Sequence, residues 1–404
     1  MLPCPCRYTC LVRPLPKINI HLLRTLIINA ITLGVAAGLA LNRRNNPDIS
    51  VSRWAGDEDA PFVSIIIPAR NEARNISPLL KSLLAQRYPP GRWSVTIVDD
   101  SSDDGTSTIA ANIAQGHPHV NIITTPPLPP GWTGKNHAMH TGYLASSDEA
   151  EWLLFVDADT RHHPDMLSSV VNRAASTGAD LLSLILNVEM RSFWERVMVP
   201  QVGELYTLLV GTMDSVNNPN GAAAANGQFL LIRRVLYAQI GALHIVRTDV
   251  AEDRAIAAAC KERGAMVRLE YGRNLVKARV YASLKEMWEG YSKTLFWASG
   301  HDVAKTLLVA SALTLYALVP PLSLLYALLT QTYKARNVAL KHAPAQLIPM
   351  LALRIAVCRQ MGIPPTYALT YPLGVAVGNA MLLFSLYRVV SGKGVRWKGR
   401  TYYR

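Results

Sequence analysis

Between residues 62 and 186, short apolar runs alternate along the chain with helically spaced apolar positions. Residues 62–68 (FVSIIIP) are β-branched and long enough for a buried strand. Ile76, Leu79, Leu80, Leu83 and Leu84 then recur at helical spacing, and Tyr88-Pro89-Pro90-Gly91 reads as a turn. Further strands are predicted over 95–98, 120–123, 152–156 and 180–186, with helices over 106–114, 135–145 and 164–177 between them. A strand and a helix about every 30 residues imply right-handed βαβ units, hence a parallel sheet covered on both faces. Such sheets bind ligands beyond the carboxyl ends of their strands. The polar residues gather there: Arg70-Asn71-Glu72, then Asp99-Asp100, then Asp157 and Asp159.

Outside this region the chain is apolar for long stretches. Residues 20–41 are apolar apart from His21, Arg24 and small polar residues. At ~1.5 Å per residue they span a hydrocarbon core of ~30 Å. Arg24 can snorkel from the helix end. Asn42-Arg43-Arg44 follows in place of a small-residue cleavage site, which reads as an uncleaved anchor. A second stretch, 307–330, contains Pro320-Pro321, which should kink it, and a third covers 367–390. Residues 347–357 are shorter and carry Arg354, which suits an interfacial helix or half of a re-entrant pair. The expected division is a tail (1–19), an anchor (20–41), an α/β domain (60–300), membrane helices (301–392) and a basic tail (393–404).

Composition agrees: hydrophobic residues make up 50% of the chain and charged residues 17%. The net charge of +13 raises nucleic acid as a partner. That would need Lys/Arg patches interleaved with aromatics. The basic residues instead collect beside the apolar segments, at Arg43, Arg44, Arg388, Lys393, Arg396, Lys398, Arg400 and Arg404. A face against anionic lipid accounts for them, and no nucleic-acid partner is expected. A basic C-terminal tail should be cytoplasmic, which puts the α/β domain in the cytoplasm. Lys334, Arg336 and Lys341 then fall on the wrong side, so the number of crossings stays open. Cys4, Cys6, Cys10, Cys260 and Cys358 have no zinc-site spacing and are expected as reduced thiols.

Asp157 and Asp159, two residues apart at a strand end, can share one divalent cation with diphosphate oxygens. Such a cation neutralises charge on a leaving diphosphate. An acidic residue at a strand end, as at Asp99-Asp100, can accept from a base N–H or a ribose hydroxyl. Asp103 or Asp104 suits the N-cap of the next helix better. The segment GWTGKNHA (131–138) lacks the Ser/Thr that a phosphate-binding P-loop carries after its Lys. His137, His140, His162 and His163 match no usual zinc spacing.

Together SIIIPARNEARNI (64–76), IVDDSSDDGT (97–106), LLFVDADT (153–160) and NGQFLLIRR (226–234) resemble the GT-A inverting glycosyltransferases of family 2. PPLPPGWTGKNHA (126–138) resembles, more narrowly, the hopene-associated and ceramide-glucosyltransferase-like members. The likeness covers residues 60–300 and implies an α/β GT-A fold, a Rossmann-like mostly parallel sheet with helices on both faces, flanked by transmembrane helices. It assigns Pro68, Arg70 and Glu72 to the nucleotide-binding turn, and Asp99 and Asp100 to uracil and ribose. Lys135 and Asn136 fall near the donor phosphates and sugar, and Asp157 and Asp159 at a Mg²⁺ or Mn²⁺ ion. Asp253 matches the catalytic base, which inverting transfer needs opposite the leaving diphosphate. Relatives often carry Gln/Arg-x-x-Arg-Trp after the base, whereas this chain reads WEGYSKTLFW (288–297), a departure that argues against a processive polysaccharide synthase. Lys293 is a candidate for the cation there, and Trp288 or Trp297 for the aromatic wall. Trp132, Gln228 and Glu252 complete the candidates for holding acceptor or diphosphate. The resemblance implies a nucleotide sugar, expected as a UDP-sugar, as donor and, given the apolar segments, a lipid acceptor at a bilayer. A hopanoid or related polyprenoid lipid in a bacterial-type inner membrane is the acceptor it suggests. A polyprenyl phosphate or a polysaccharide is the alternative, and a non-catalytic membrane scaffold is disfavoured by the intact acidic set.

Overall fold

The structure is a computed structural model describing residues 19–397 and 400–402, except 57, 58, 245 and 250. Cys4, Cys6 and Cys10 lie outside the described residues. Among those described, Cys260 and Cys358 are free and buried.

The predicted strands form, in chain order, β1 (Val63–Ala69), β2 (Trp93–Asp99), β3 (Val120–Thr124) and β4 (Trp152–Val156). A short β5 (Thr160–His162) precedes β6 (Leu181–Ile185) and β7 (Asn187–Val188). Then come β8 (Phe229–Arg233), β9 (Val267–Tyr271) and β10 (Val276–Ala278). The main sheet has seven strands in the order β3-β2-β1-β4-β8-β6-β9. It is parallel except at β8, which runs antiparallel to both β4 and β6. The mostly parallel sheet expected from the sequence is therefore what forms, with β8 as its exception because it enters from the opposite end. Val156 pairs with Phe229, so the start of β8 lies beside the end of β4, and Gly227-Gln228 arrives next to Asp157.

After the apolar α1 (Ile20–Asn45), helices α2 (Ala73–Leu84), α3 (Thr106–Ala114) and α5 (Met166–Thr177) cover one face of the sheet, packing Leu79, Leu83, Ala110 and Val170 on Ile65 and Ile67. On the other face α4 (Gly134–Leu144) lies so close that a β-carbon on Gly142 would come 2.4 Å from Ile66. After α6 (Phe193–Val210) and α7 (Met213–Asn217), helices α8 (Arg234–Gln239) and α9 (Glu252–Glu262) complete that face. Burial of these apolar side chains stabilises the fold by ~1.5–3 kcal/mol each before entropy is counted.

Among the described residues, three segments are long and apolar enough to cross a membrane: Ile20–Asn45, Val303–Leu329 and Pro365–Val390. They comprise α1, α11 (Val303–Leu329) and a 3₁₀ turn leading into α13 (Tyr371–Val390). Helix α11 runs through Pro320-Pro321 without ending. Residues 347–357 are no separate short helix. They belong to α12 (Tyr333–Gln360), 28 residues long, whose Arg354 meets Glu204 of α6 at 2.7 Å. Helices α6 and α10 (Leu284–Ala298) share one apolar cluster with these segments, including Met198, Leu205, Leu295, Leu313 and Val375. Gly374 and Gly378 allow α13 that approach: β-carbons there would sit 3.3 Å from the Val197 carbonyl and 3.2 Å from Gln201 Cγ. The α/β domain and the apolar helices are thus joined through α6 and α10.

Candidate active site

The site forms where the ends of β1, β2 and β4 meet the start of β8. Lys135, in the first turn of α4, extends its ammonium to 2.8 Å from Asp157 and 2.8 Å from Glu252. Thr133 caps that helix by accepting from the Asn136 N–H, which fixes where Lys135 emerges. Burial works to lower the Lys135 pKa, but Asp157 and Glu252 outweigh it and hold the ammonium charged. Glu252 is pushed up by burial, yet Lys135 and Lys293 bring it below its ordinary value.

Gly227 sits at the centre. Its N–H donates to Asp253 Oδ2 at 2.8 Å. A β-carbon there would lie 3.1 Å from Glu252 Oε1, 3.2 Å from Asp253 Oδ2 and 3.3 Å from Lys135 Nζ. The other Asp253 oxygen accepts from the Arg254 N–H at 2.8 Å. Burial, then repulsion from Glu252, raises the Asp253 carboxyl to about 6. A carboxylate with such a pKa is suited to take a proton near neutrality.

Asp159 is held by the Gln228 amide, which reaches both its oxygens at 3.1 Å. Burial, then the charges of Asp157 and Glu72, push Asp159 up to about 7. It has no salt bridge among the described residues, so its surroundings favour an added cation. Among those residues no group of three His, Cys, Asp or Glu side chains is arranged to hold a metal ion. A cation at Asp157 and Asp159 would therefore complete its coordination with diphosphate oxygens or water.

Other candidates are placed differently. Asp99 spends its oxygens within its own turn, accepting from Ser102 Oγ at 2.5 Å and Ser107 Oγ at 2.6 Å. Asp100 is buried, and Arg70 Nη1 lies 3.8 Å from its carboxylate while donating to its carbonyl at 2.6 Å. Pro68 lies within β1. Glu72 accepts from the Asn75 amide at 2.7 Å. The N-cap of α3 is Gly105, in the left-handed region, and not Asp103 or Asp104 as expected. Asp104, one residue earlier, accepts from the Thr106 N–H at 3.0 Å and from Ala73 N at the start of α2.

Asn136 does not face the site. It is fully buried, and its amide donates to the Val246 and Asp249 carbonyls at 2.7 and 2.9 Å. It fastens the loop leading to Asp253. Trp132 stands to one side among the rings of His137, His140 and His244, with centroids 5.8, 5.2 and 5.3 Å away.

Helix α10 divides its candidates. Lys293 faces the cluster and is lowered by burial, with Glu252 opposing that and Lys135 adding to it. Trp288 packs away from it, on Phe384 of α13 at 5.6 Å. Trp297 accepts from Arg254 through its carbonyl at 2.7 Å. Sequence reasoning missed Gly227, which stood in plain view in NGQFLLIRR, and Tyr206 and Tyr281, which carry no local signal. Tyr206 bonds Thr294 at 2.6 Å and is pushed up to about 12 by burial, with the nearby Asp253 charge adding to the rise.

Residues 64–240 match the sequence profile of glycosyl transferase family 2. The chain is 35% identical to glycosyltransferase AglE of Haloferax volcanii over 30% of its own length and 38% of that protein's. It is 34% identical to the beta-monoglucosyldiacylglycerol synthase of a Nostoc species over 28% of its length and 23% of that protein's. These matches therefore span well under half of either relative. A mannosyltransferase from Pyrobaculum calidifontis, solved with GDP-Man and Mn²⁺, superposes with a TM-score of 0.51 at 18% identity, covering 91% of this chain and 98% of that one. That likeness agrees with the GT-A fold expected from the sequence.

Proposed function

We propose that this chain, whose residues 64–240 are a glycosyl transferase family 2 domain, moves a sugar from a nucleoside-diphosphate sugar to a lipid hydroxyl with inversion. The observation that carries this reading is the convergence of Lys135, Asp157, Asp159, Glu252 and Asp253 on the Gly227-Gln228 turn. Asp253 takes the proton of the acceptor hydroxyl as its oxygen attacks the anomeric carbon, and the nucleoside diphosphate leaves. Lys135 stabilises the charge that builds on that diphosphate, with Lys293 supporting it from α10. Arg70 and Asp100 line the end where base and ribose bind, and Glu72 and Pro68 shape that turn. Asp159 and Asp157 hold a Mg²⁺ or Mn²⁺ ion, which when bound neutralises charge on the leaving group.

The lipid acceptor rests on the apolar segments. They pack on α6 and α10, and α10 brings Lys293 to the cluster, so the acceptor side adjoins the apolar layer. A UDP-sugar donor, a hopanoid or related polyprenoid acceptor, and a bacterial-type inner membrane with the α/β domain on its cytoplasmic side complete the proposal. So does the division at 20–41, 60–300 and 301–392. A polyprenyl phosphate acceptor is the second reading, favoured by the cationic cleft around Arg161, and a polysaccharide is the remaining alternative. The test is Asp159→Asn in the full-length protein. Transfer and Mn²⁺-dependent donor binding should both be lost, and unchanged turnover would sink the mechanism.

A further inference from the structure

The small sheet β5-β10-β7 carries a charge pattern that sugar transfer as described does not use. Arg161 on β5 stands directly opposite Lys277 on β10. Their neighbours Thr160, His162, Val276 and Ala278 are buried, so by strand alternation Arg161 and Lys277 share the outer face. Like charges directly opposite on one face destabilise a sheet. Neither side chain has a hydrogen bond or ion pair to any described residue.

Beside this pair lies a cleft of about 210 Å³, open to solvent, lined by Arg74, Asn75, Arg161, Arg191, Arg279 and Ala282. Three of its arginines have glutamate partners: Arg74 with Glu286 at 3.6 Å, Arg191 with Glu189 at 2.6 Å and Arg279 with Glu195 at 2.9 Å. Arg161 and Lys277 are left as positive charge with no acidic partner among the described residues. The cleft borders both the candidate active site and the apolar layer. The Arg279 N–H donates to the Asp159 carbonyl at 3.3 Å. Arg191 precedes α6, whose half-exposed Phe193 meets the Tyr367 ring at 5.8 Å, and Leu369 in the same turn is 70% exposed.

We propose that this cleft binds the phosphate of an anionic membrane lipid, with Arg161 as its principal donor and Lys277 at its rim. Guanidinium forks match phosphate oxygens in pairs, and an anion there removes the Arg161–Lys277 repulsion. Exposed apolar side chains at the border favour a lipid phosphate over free phosphate. The inference rests on the membrane reading above, and deepens it by naming a phosphate-bearing lipid beside the Asp159 strand.

Full-length protein in phosphatidylcholine nanodiscs, doped with either phosphatidylglycerol or a polyprenyl phosphate, tests it. Native mass spectrometry on release counts retained anionic lipid without requiring turnover, so the result reads out even if glycosyl transfer fails. The double variant Arg161→Gln/Lys277→Gln should lose about tenfold in retention, and Arg161→Lys should recover part of it. Loss confined to phosphatidylglycerol identifies a bulk headgroup as the source, and loss with polyprenyl phosphate identifies an acceptor-type lipid. Equal retention by wild type and double variant in both arms overturns the proposal, as does retention of added inorganic phosphate alone. A melting midpoint in the double variant no lower than that of the wild type, as relief of the like-charge pair predicts, confirms that both outcomes concern folded protein.

Discussion

Lys135 Nζ lies 2.8 Å from Glu252 Oε1, so the first turn of α4 is tied to the first turn of the helix that carries Asp253. The same ammonium reaches Asp157 at the end of β4. One cation therefore sets the spacing between the expected diphosphate end of the site and the expected base. Lys135→Met should lower kcat/KM by about 10²–10³, the usual effect of removing a preorganised charge donor. It should also cost about 2 kcal/mol of stability, between the ~0–1 of an exposed pair and the ~3–5 of a fully buried one. Steady-state kinetics and thermal melting of the same preparation check both.

Asp253 supplies a pH signature. Its carboxyl is raised to about 6, and it acts as a base only when ionised. Activity should therefore be full above that value and fall as pH drops through about 6. Asp253→Asn should remove about 10²–10⁴ of the rate and abolish that limb, with donor affinity kept. A pH–rate profile at saturating donor is the measurement.

Gly227 leaves room that a methyl group would take. Its backbone angles suit alanine, since Gly227 is absent from the positive-φ glycines. The β-carbon would instead crowd Glu252, Asp253 and Lys135 at 3.1 to 3.3 Å. Gly227→Ala should lower kcat by about 10- to 100-fold through misplacement of these groups, with a small change in melting midpoint. A loss of folding without a selective kinetic effect would contradict this placement.

Asn136 separates the geometry from the family analogy. The resemblance puts it near donor phosphates, whereas its amide clamps the carbonyls of Val246 and Asp249. Asn136→Ala should destabilise the protein by about 1–3 kcal/mol, because buried acceptors lose their donor. It should lower kcat by loosening the approach to Asp253 and leave donor Kd unchanged. Isothermal titration with nucleotide sugar, beside melting curves, distinguishes the two roles.

Much of the fold was legible because β1 and β2 are short and β-branched, β4 is short and wholly apolar, all three are almost entirely buried, and the acidic residues fall at their ends. The orientation of β8 was not legible. FLLIR reads as a strand in either direction, and its pairing between β4 and β6 is set by long-range contact. Residues 347–357 looked short because Pro344 and Pro349 interrupt the pattern, yet α12 runs through both. Asp157, Asp159, Lys135 and Asp253 were visible as candidates in the motifs, but their convergence on Gly227 depends on that antiparallel strand. Asn136 and Trp288 show the limit of motif reasoning: Asn136 follows Lys135 and Trp288 lies five residues before Lys293, yet each points elsewhere in space.

The most direct test of the central claim is nucleotide release by the detergent-solubilised full-length protein. It would be offered a panel of nucleotide sugars with and without Mn²⁺, in the presence of a lipid acceptor. The account predicts Mn²⁺-dependent release from at least one donor, lost in Asp253→Asn while that variant still binds the donor. If no nucleotide sugar is bound or turned over under any of these conditions, the proposed activity is contradicted.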